Sequence, residues 1–176
     1  MRRPVTATYR LQLRGPHADP QGREFGFAQA AEIVPYLRDL GVSHLYLSPI
    51  FASSRESNHN YDVIDPTLVN PELGGIDGLR LLSRAAHEAG LGLIVDIVPN
   101  HLGVENPRAN RWWWDVLKHG RGSDYASYFD IDWDEDNGAG GRIGLPVLGS
   151  PGDTAALALA HRDGEDVLTY HEHVFP

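Results

Sequence analysis

The chain has 176 residues, 41% of them hydrophobic and 22% charged, which is enough to fold around one sizeable core. Its net charge of -9 argues against a nucleic-acid partner, because such proteins concentrate Lys and Arg on one face. The absence of cysteine excludes disulfides and thiolate chemistry and suits the cytoplasm. Arg2 and Arg3 are followed by no signal-peptide stretch, and no later run could span a bilayer, so we expect an unexported protein without a membrane partner.

The first half of the sequence predicts strands that alternate with helices. TATYRLQL predicts a strand over residues 6–13, since it alternates and contains β-forming residues. Apolar residues between Phe27 and Leu40 then recur at helical spacing, and Gly41 ends that helix. Pro35 must either kink the helix or begin its second segment. VSHLYLSPIF predicts the next strand.

The same order of elements then repeats. Asp77 is the predicted N-cap of a helix that Gly90 ends, and LGLIVDIV predicts a strand over Leu91–Val98 that is apolar on both faces. Two such units indicate parallel strands joined by crossover helices, which leaves an open doubly wound sheet or part of a (β/α)8 barrel. No glycine-rich phosphate motif follows a strand, and a closed barrel needs about 250 residues, so about three of its eight units would be present.

Beyond His101 the sequence changes character. NPRANRWWWDVLKHG predicts one helix, and its three consecutive tryptophans point about 100° apart, so at least one belongs to the core. The stretch from Ser123 to Asp153, rich in Gly, Asp and aromatic residues, predicts irregular structure with short strands. EDVLTYHEHVFP predicts a final strand or hairpin arm. We place the boundary near residue 102, with β/α units before it and a loop-rich inserted region after it.

Polar residues gather where the strand in GLIVDIVPNH ends. Asp96 accepts hydrogen bonds, Asn100 can hold a neighbouring loop or a ligand hydroxyl, and His101 can donate to a substrate oxygen. The carboxyl ends of parallel strands are where such folds bind ligands, and hydroxyl-rich ligands need these donors and acceptors. The structural alternative is that Asp96 and Asn100 only fix the turn at Pro99, with His101 half-buried.

SRESNHNYDVIDP, after the second strand, forms a second candidate site within one predicted loop. The Tyr61 ring could stack on a sugar, because the C–H faces of sugars pair well with aromatic faces, while His59, Asp62 and Asp65 hydrogen-bond around it. Asn and Asp are also common turn residues, so a purely structural role stays open.

The sequence gives little support for three other kinds of functional site, namely a calcium loop, a serine nucleophile and a zinc site. DIDWDEDNGAGG lacks the Gly and Glu of an EF-hand loop, with Asn137 and Ile143 in their places, and is better read as an acidic solvated loop. There is no G-x-S-x-G elbow for a serine nucleophile and no H-E-x-x-H for zinc. We therefore expect neither a metal nor another cofactor.

Several stretches of the sequence resemble those of a known family. DIVPNH is similar to the first conserved region of the alpha-amylase superfamily, glycoside hydrolases of family 13 that act on α-linked glucans. Six further blocks in collinear order resemble the maltooligosyl trehalose synthase family within it, namely TYRLQL, PYLRDLGVSHLYLSPIFASS, NYDVIDPTLVNPELGG, NRWWWDVLKHG, YASYFDIDW and LPVLGSPGD. This resemblance covers almost the whole chain.

The resemblance implies an isomerase that converts the reducing-end α-1,4 linkage of a maltooligosaccharide into an α,α-1,1 linkage. Tyr61 would be the stacking platform at the cleaved bond, His101 would donate to a sugar hydroxyl, Asp96 would brace the site and Asn100 would anchor the inserted region. Asn60 stands where the family usually has Gly, and we expect the turn to survive because Asn tolerates positive φ.

The resemblance also implies a fold and a limit. The expected fold is α/β, a partial (β/α)8 barrel of three β/α units over residues 1–101 followed by an incomplete inserted subdomain over residues 102–176. The family's Asp nucleophile and Glu acid/base lie on later strands, so we assign no catalytic residue here and expect the chain alone to be inactive. Another enzyme of the superfamily and a noncatalytic glucan-binding fragment are the alternatives. We also expect exposed barrel edges to promote self-association.

Overall fold

The computed structural model describes residues 4–176, so Arg2 and Arg3, named in the prediction about export, lie outside the described residues. The chain divides into two units, the first ending at Gly103 and the second beginning at Val104. None of the helices formed within residues 4–176 is both long and apolar enough to cross a membrane.

The described part of the first unit, residues 4–103, contains five strands and three helices. In chain order these are β1 (Thr8–Leu11), α1 (Phe27–Glu32), α2 (Val34–Asp39), β2 (His44–Leu47), β3 (Phe51–Ser53), β4 (Val63–Val69), α3 (Gly75–Glu88) and β5 (Gly92–Val95), with 3-10 turns at Pro16–Ala18 and Pro71–Leu73. Strands β1, β2 and β5 form a parallel sheet in that order. The prediction of parallel strands with intervening helices is therefore confirmed, although β1 and β5 are shorter than predicted.

The core of the first unit lies on one face of this sheet. Strand residues such as Leu45 and Leu47 pack there against Phe27 and Leu37 of the first two helices and Leu82 of α3. The full set of buried core residues is Leu11, Leu13, Phe27, Ala30, Val34, Leu37, Leu45, Leu47, Ile50, Leu73, Leu82, Ala86 and Leu91. All three helices thus cover the same face, and α1 and α3 are neighbours.

Two helix boundaries depend on local chemistry. Pro35 lies in the first turn of α2, so it begins a second segment after Ile33, which agrees with one of its two predicted roles. The prediction of Asp77 as an N-cap was wrong, because α3 begins at Gly75 and its N-cap is Gly74, at φ 102°. Asp77 lies inside the first turn and pairs with Arg80 at 3.0 Å.

The region after β2 differs from its prediction. VSHLYLSPIF is not one strand, because β2 ends at Leu47 and Phe51 begins β3. The predicted loop after it is partly a hairpin, in which β3 pairs antiparallel with β4. Pro66 lies within β4, which is tolerated because β4 belongs to a two-stranded sheet with an irregular register. Only the segment between Ser53 and Val63 remains a loop.

The second unit contains one helix and a three-stranded antiparallel sheet. Its elements are α4 (Arg111–His119), β6 (Ala158–Arg162), β7 (Glu165–Tyr170) and β8 (His173–Phe175), with 3-10 turns at Gly120–Gly122, Ala126–Tyr128 and Pro151–Ala156. The side chain of Asn110 caps α4 by accepting from the backbone N–H groups of Trp112 and Trp113, both at 3.1 Å.

The second unit confirms some predictions and corrects others. Trp112 and Trp113 are buried while Trp114 is half-buried, as expected for three consecutive residues on a helix. The short strands predicted between Ser123 and Asp153 do not form in this described stretch, which consists of turns, bends, 3-10 segments and irregular backbone. Strand β6 was not predicted, and it buries little of its surface, with the Leu159 side chain 85% exposed.

Candidate functional site

Strand register brings three polar side chains to the face of the sheet that lies away from the helices. Arg10 of β1 and Tyr46 of β2 are Cα partners, and Asp96 directly follows β5. Because side chains alternate along a strand, Leu11 and Leu47 point into the core from the next position. Arg10, Tyr46 and Asp96 therefore lie together near the carboxyl ends of the strands.

Asp96 is the centre of a hydrogen-bonded cluster. Its Oδ2 atom accepts from Nη1 of Arg10 at 3.2 Å, from the Tyr46 hydroxyl at 3.1 Å and from the Tyr61 hydroxyl. Nη2 of Arg10 donates to the oxygen of that same Tyr61 hydroxyl at 2.9 Å, and the Arg10 guanidinium lies 4.7 Å from the centre of the Tyr46 ring. The Asp96 side chain is 18% exposed, so the cluster is partly accessible to solvent.

These contacts fix the charges in the cluster. The hydrogen bond from Tyr61 is the largest cause that lowers the pKa of Asp96; burial opposes it, and the bonds from Tyr46 and Arg10 add to the lowering. Donation to Asp96 raises the pKa of Tyr61, so the phenol keeps its proton. Burial acts to lower the pKa of Arg10, but its bonds to Tyr61 and Asp96 outweigh burial and raise it. The cluster is therefore a carboxylate, a neutral phenol and a guanidinium.

The loop before β4 places Tyr61. Asn60 has φ 61°, which confirms that Asn keeps the turn in its left-handed conformation. The backbone N–H of Tyr61 donates to Nδ1 of His59 at 3.0 Å, so Nδ1 carries no proton and its 3.7 Å approach to Asp62 is no hydrogen bond. Asp62 instead accepts from the hydroxyl of Ser57, inside the loop. His59 thus lies beside Tyr61, while Asp62 stabilises the loop.

His101 and Asn100 are both exposed. Nε2 of His101 lies 3.1 Å from the backbone carbonyl oxygen of Tyr61, and a carbonyl only accepts, so Nε2 carries the proton. Asp96, Tyr61 and His101 therefore form one connected group, with His59 next to it. Asp65, the remaining predicted residue, lies in β4 and accepts from the backbone and hydroxyl of Thr67.

Sequence reasoning missed Arg10 and Tyr46. The available signal was the position of an arginine inside TYRLQL, between apolar strand residues, because a charge on a strand face needs a partner. Tyr46 gave no comparable signal, since tyrosine is common in strands. No group of three or more His, Cys, Asp or Glu residues that could hold a metal ion occurs in the described part of the chain.

The acidic segment from Asp132 to Arg142 is organised by Asn137. Its side-chain nitrogen donates to the carbonyl oxygens of Asp132 and Arg142, at 2.8 and 3.1 Å. Its side-chain oxygen accepts from the backbone of Ala139 and Gly141. An amide thus closes this turn by itself, at the position where an EF-hand loop has Gly.

Comparison with known proteins decides the family. The profile of the alpha-amylase catalytic domain matches residues 19–146. The chain belongs to the alpha-amylase family. That family's catalytic domain has a TIM-barrel fold, and the parallel strands and one-sided helices of the first unit are in keeping with it.

Three individual relatives show how much of the chain is similar to particular enzymes. A Mycobacterium tuberculosis protein assigned as a maltooligosyl trehalose synthase is 58% identical over 154 residues, which are 88% of this chain and 19% of that protein. The structure of the maltooligosyltrehalose synthase from Arthrobacter ramosus is 51% identical, with a TM-score of 0.82, over 97% of this chain and 21% of that chain. An intracellular maltogenic amylase from Bacillus subtilis is 38% identical over 64% of this chain and 19% of its own length. The chain thus spans about one fifth of the relatives it matches.

Proposed function

We propose that this chain is the N-terminal segment of an enzyme that converts the reducing-end α-1,4 linkage of maltooligosaccharides into an α,α-1,1 linkage, a step in trehalose formation. The observation that carries the proposal is the extent of similarity to two maltooligosyl trehalose synthases. It reaches 51% identity over 97% of the chain, whereas the maltogenic amylase matches 64% of the chain at 38%. A cytoplasmic location belongs to the proposal and is supported by the lack of cysteine.

The proposal includes a specific architecture. We take the first unit as the first three β/α units of a (β/α)8 barrel and the second unit as the start of an inserted subdomain. Support comes from the sequential order β1, β2, β5 and from helices that cover only one face of the sheet. An open doubly wound sheet would have helices on both faces. The opposite face, which carries Arg10, Tyr46 and Asp96, would then point into the barrel.

The side chains around Asp96 can provide the contacts that one part of a sugar-binding site needs. Tyr61 is the proposed stacking platform, because its hydroxyl is held by Asp96 and Arg10 while its side chain is only half-buried. His101 is the proposed contact to a sugar hydroxyl. The sequence predicts that His101 donates to that hydroxyl, but its Nε2–H is directed at the Tyr61 carbonyl, so we propose instead that its Nδ1 accepts from the hydroxyl when the ring is neutral. His59 and Asn100 are proposed at the edge of the site.

Asp96 is proposed as a brace and not as the catalytic acid. Three donors bind its Oδ2 atom and favour the ionised form, so it is a poor proton donor near neutral pH. In a retaining double displacement, one carboxylate attacks the anomeric carbon and a second carboxyl acts as acid and base. We propose that both groups come from outside this chain and that the isolated chain is inactive.

A hybrid enzyme tests this function. The chain would replace the matching segment of the Arthrobacter ramosus enzyme and the hybrid would be supplied with maltopentaose. We expect a product that lacks a reducing end and contains a trehalosyl unit. Formation of glucose and shorter glucans without that product would favour a hydrolase or transglucosidase of the same family, which the maltogenic amylase match makes the second candidate. Glucan binding by the isolated chain, together with an inactive hybrid, would favour a noncatalytic module.

We also propose that the isolated chain associates with itself. Within residues 4–176, β1 and β5 form the two outer strands of the parallel sheet, and exposed strand edges readily pair with other chains. Sedimentation velocity should show a mass that rises with concentration. A reversible melt of a monomer, sharp and independent of concentration, would contradict this part of the proposal.

A further inference from the structure

Arg10 occupies an unusual position for an arginine. It lies on β1 at the face that carries Tyr46 and Asp96, and its side chain is 36% exposed. Both terminal nitrogens are used: one donates to Asp96 at 3.2 Å and the other to Tyr61 at 2.9 Å. Its guanidinium also lies over the Tyr46 ring at 4.7 Å. One planar group thus joins two strands, the end of a third strand and the loop before β4.

The shape of the guanidinium matters for this arrangement. Its nitrogens have a fixed fork geometry, so a single group can hold Asp96 and the Tyr61 hydroxyl at a set separation while an aromatic face fixes its plane. A lysine ammonium is a point charge on a flexible stem and would not hold both partners with the same geometry. Tyr61 is otherwise placed by a loop, whose position is set less firmly than that of a strand.

We propose that Arg10 is a positioning residue of the glucan site, which fixes the Tyr61 ring and the Asp96 carboxylate for sugar binding. The inference rests on the proposed function and extends it to a residue outside the predicted site. Arg10 acts through Tyr61 and Asp96, so its removal should loosen the sugar platform and let Asp96 take up a proton more easily. The titratable and charged groups that face Asp96 are Arg10 from β1, Tyr46 from β2 and Tyr61 from the loop.

The first test measures Asp96 directly in the 176-residue chain. Aspartate carboxyl carbons would be followed by NMR during a pH titration, with the Asp96 signal assigned by its loss in Asp96→Asn. We expect Arg10→Met to raise the pKa of Asp96 and Arg10→Lys, which keeps the charge, to raise it less. Arg80→Met on the exposed side of α3 is the matched control and should leave Asp96 unchanged. An unchanged Asp96 in Arg10→Met would overturn the inference.

The second test uses the hybrid enzyme. Arg10→Met should lower kcat/KM for maltopentaose on the order of tenfold or more, the usual effect of losing a hydrogen bond to a charged group. The acid limb of its pH profile should also move to higher pH, because a protonated Asp96 accepts the Tyr61 hydroxyl more weakly than the carboxylate does. If Arg10→Met fails to fold, Arg10→Lys replaces it as the test variant. It should show a kcat/KM lower than wild type and a shift of the acid limb smaller than that expected for Arg10→Met.

A double-mutant cycle separates positioning from general structure. Tyr61→Phe removes the hydroxyl that Arg10 holds, so Arg10→Met should cost less in that background than alone. Full additivity, or normal kinetics in Arg10→Met, would overturn the positioning role. A hybrid that makes no trehalosyl product even with Arg10 intact would instead overturn the proposed function. The NMR titration would still decide whether Arg10 controls Asp96.

Discussion

The turn before Tyr61 allows a sharp test through Asn60. Its side chain is buried, donates to the carbonyl oxygen of Leu13 at 2.8 Å and accepts from Ser53 at 3.0 Å and from Asn70 at 3.5 Å. Its φ of 61° lies in the left-handed region. Asn60 therefore contributes both a side-chain network and a backbone conformation, and two substitutions distinguish these contributions.

Asn60→Gly keeps the backbone conformation but removes the network. We expect a loss of about 2 kcal/mol in the free energy of unfolding, because buried partners left without a hydrogen bond cost about 1–3 kcal/mol each. Asn60→Ala removes the network and adds strain at positive φ, which costs about 1 kcal/mol more. The expected losses are thus about 2 kcal/mol for glycine and about 3 kcal/mol for alanine.

The assay is urea unfolding followed by circular dichroism at one fixed protein concentration. Dichroism is preferred to fluorescence because the four tryptophans lie between residues 112 and 133, in the second unit. Asn58→Gly is the matched control, since Asn58 is exposed in the same loop, and should change stability by less than about 0.5 kcal/mol. Wild-type stability in both Asn60 variants, or an alanine variant more stable than the glycine variant, would refute the reasoning.

Three further predictions concern other parts of the chain. Gly92→Ala should destabilise the first unit by about 1–3 kcal/mol, because the new Cβ would lie 2.2 Å from Cδ2 of His44, and His44→Ala should reduce that cost in urea unfolding. The hydrogen bond from Lys118 lowers the pKa of Glu165 below its ordinary value of 4.5. The stability advantage of wild type over Glu165→Gln should therefore be present at neutral pH and be lost as pH falls through the lowered folded-state pKa; an advantage constant with pH in thermal melts would contradict this. His101→Ala should lower kcat/KM of the hybrid enzyme on the order of tenfold, and unchanged kinetics would remove His101 from the site.

Much of the first unit follows from local patterns in the sequence. Strands alternate along the sequence with helices that end at glycine. This order predicts a parallel sheet, because the apolar faces of the strands and the helices must cover one another. The conformation of Asn60 also follows, since few residues accept positive φ. By contrast, the N-cap of α3 could not be placed at Gly74 by pattern, because Asp77 offers a better capping side chain.

The parts that sequence reasoning missed depend on contacts between distant residues. Strand β4 contains a proline and pairs with only three residues of β3, so the hairpin has no strong local signal. The roles of Arg10 and Tyr46 arise from the register of β1 against β2, which brings them beside Asp96, 86 and 50 positions away along the chain. Such partners become visible only when the strands are aligned.

The products of the hybrid enzyme test the central claim most directly. Isomerisation keeps the number of sugar molecules constant and removes a reducing end, whereas hydrolysis adds a reducing end at each event. With maltopentaose, our account predicts that reducing-sugar content falls while an α,α-1,1 linkage forms, and that Tyr61→Ala in this chain suppresses both changes. A rise in reducing sugar without an α,α-1,1 product, under conditions where the unmodified Arthrobacter ramosus enzyme forms that product, would contradict the account.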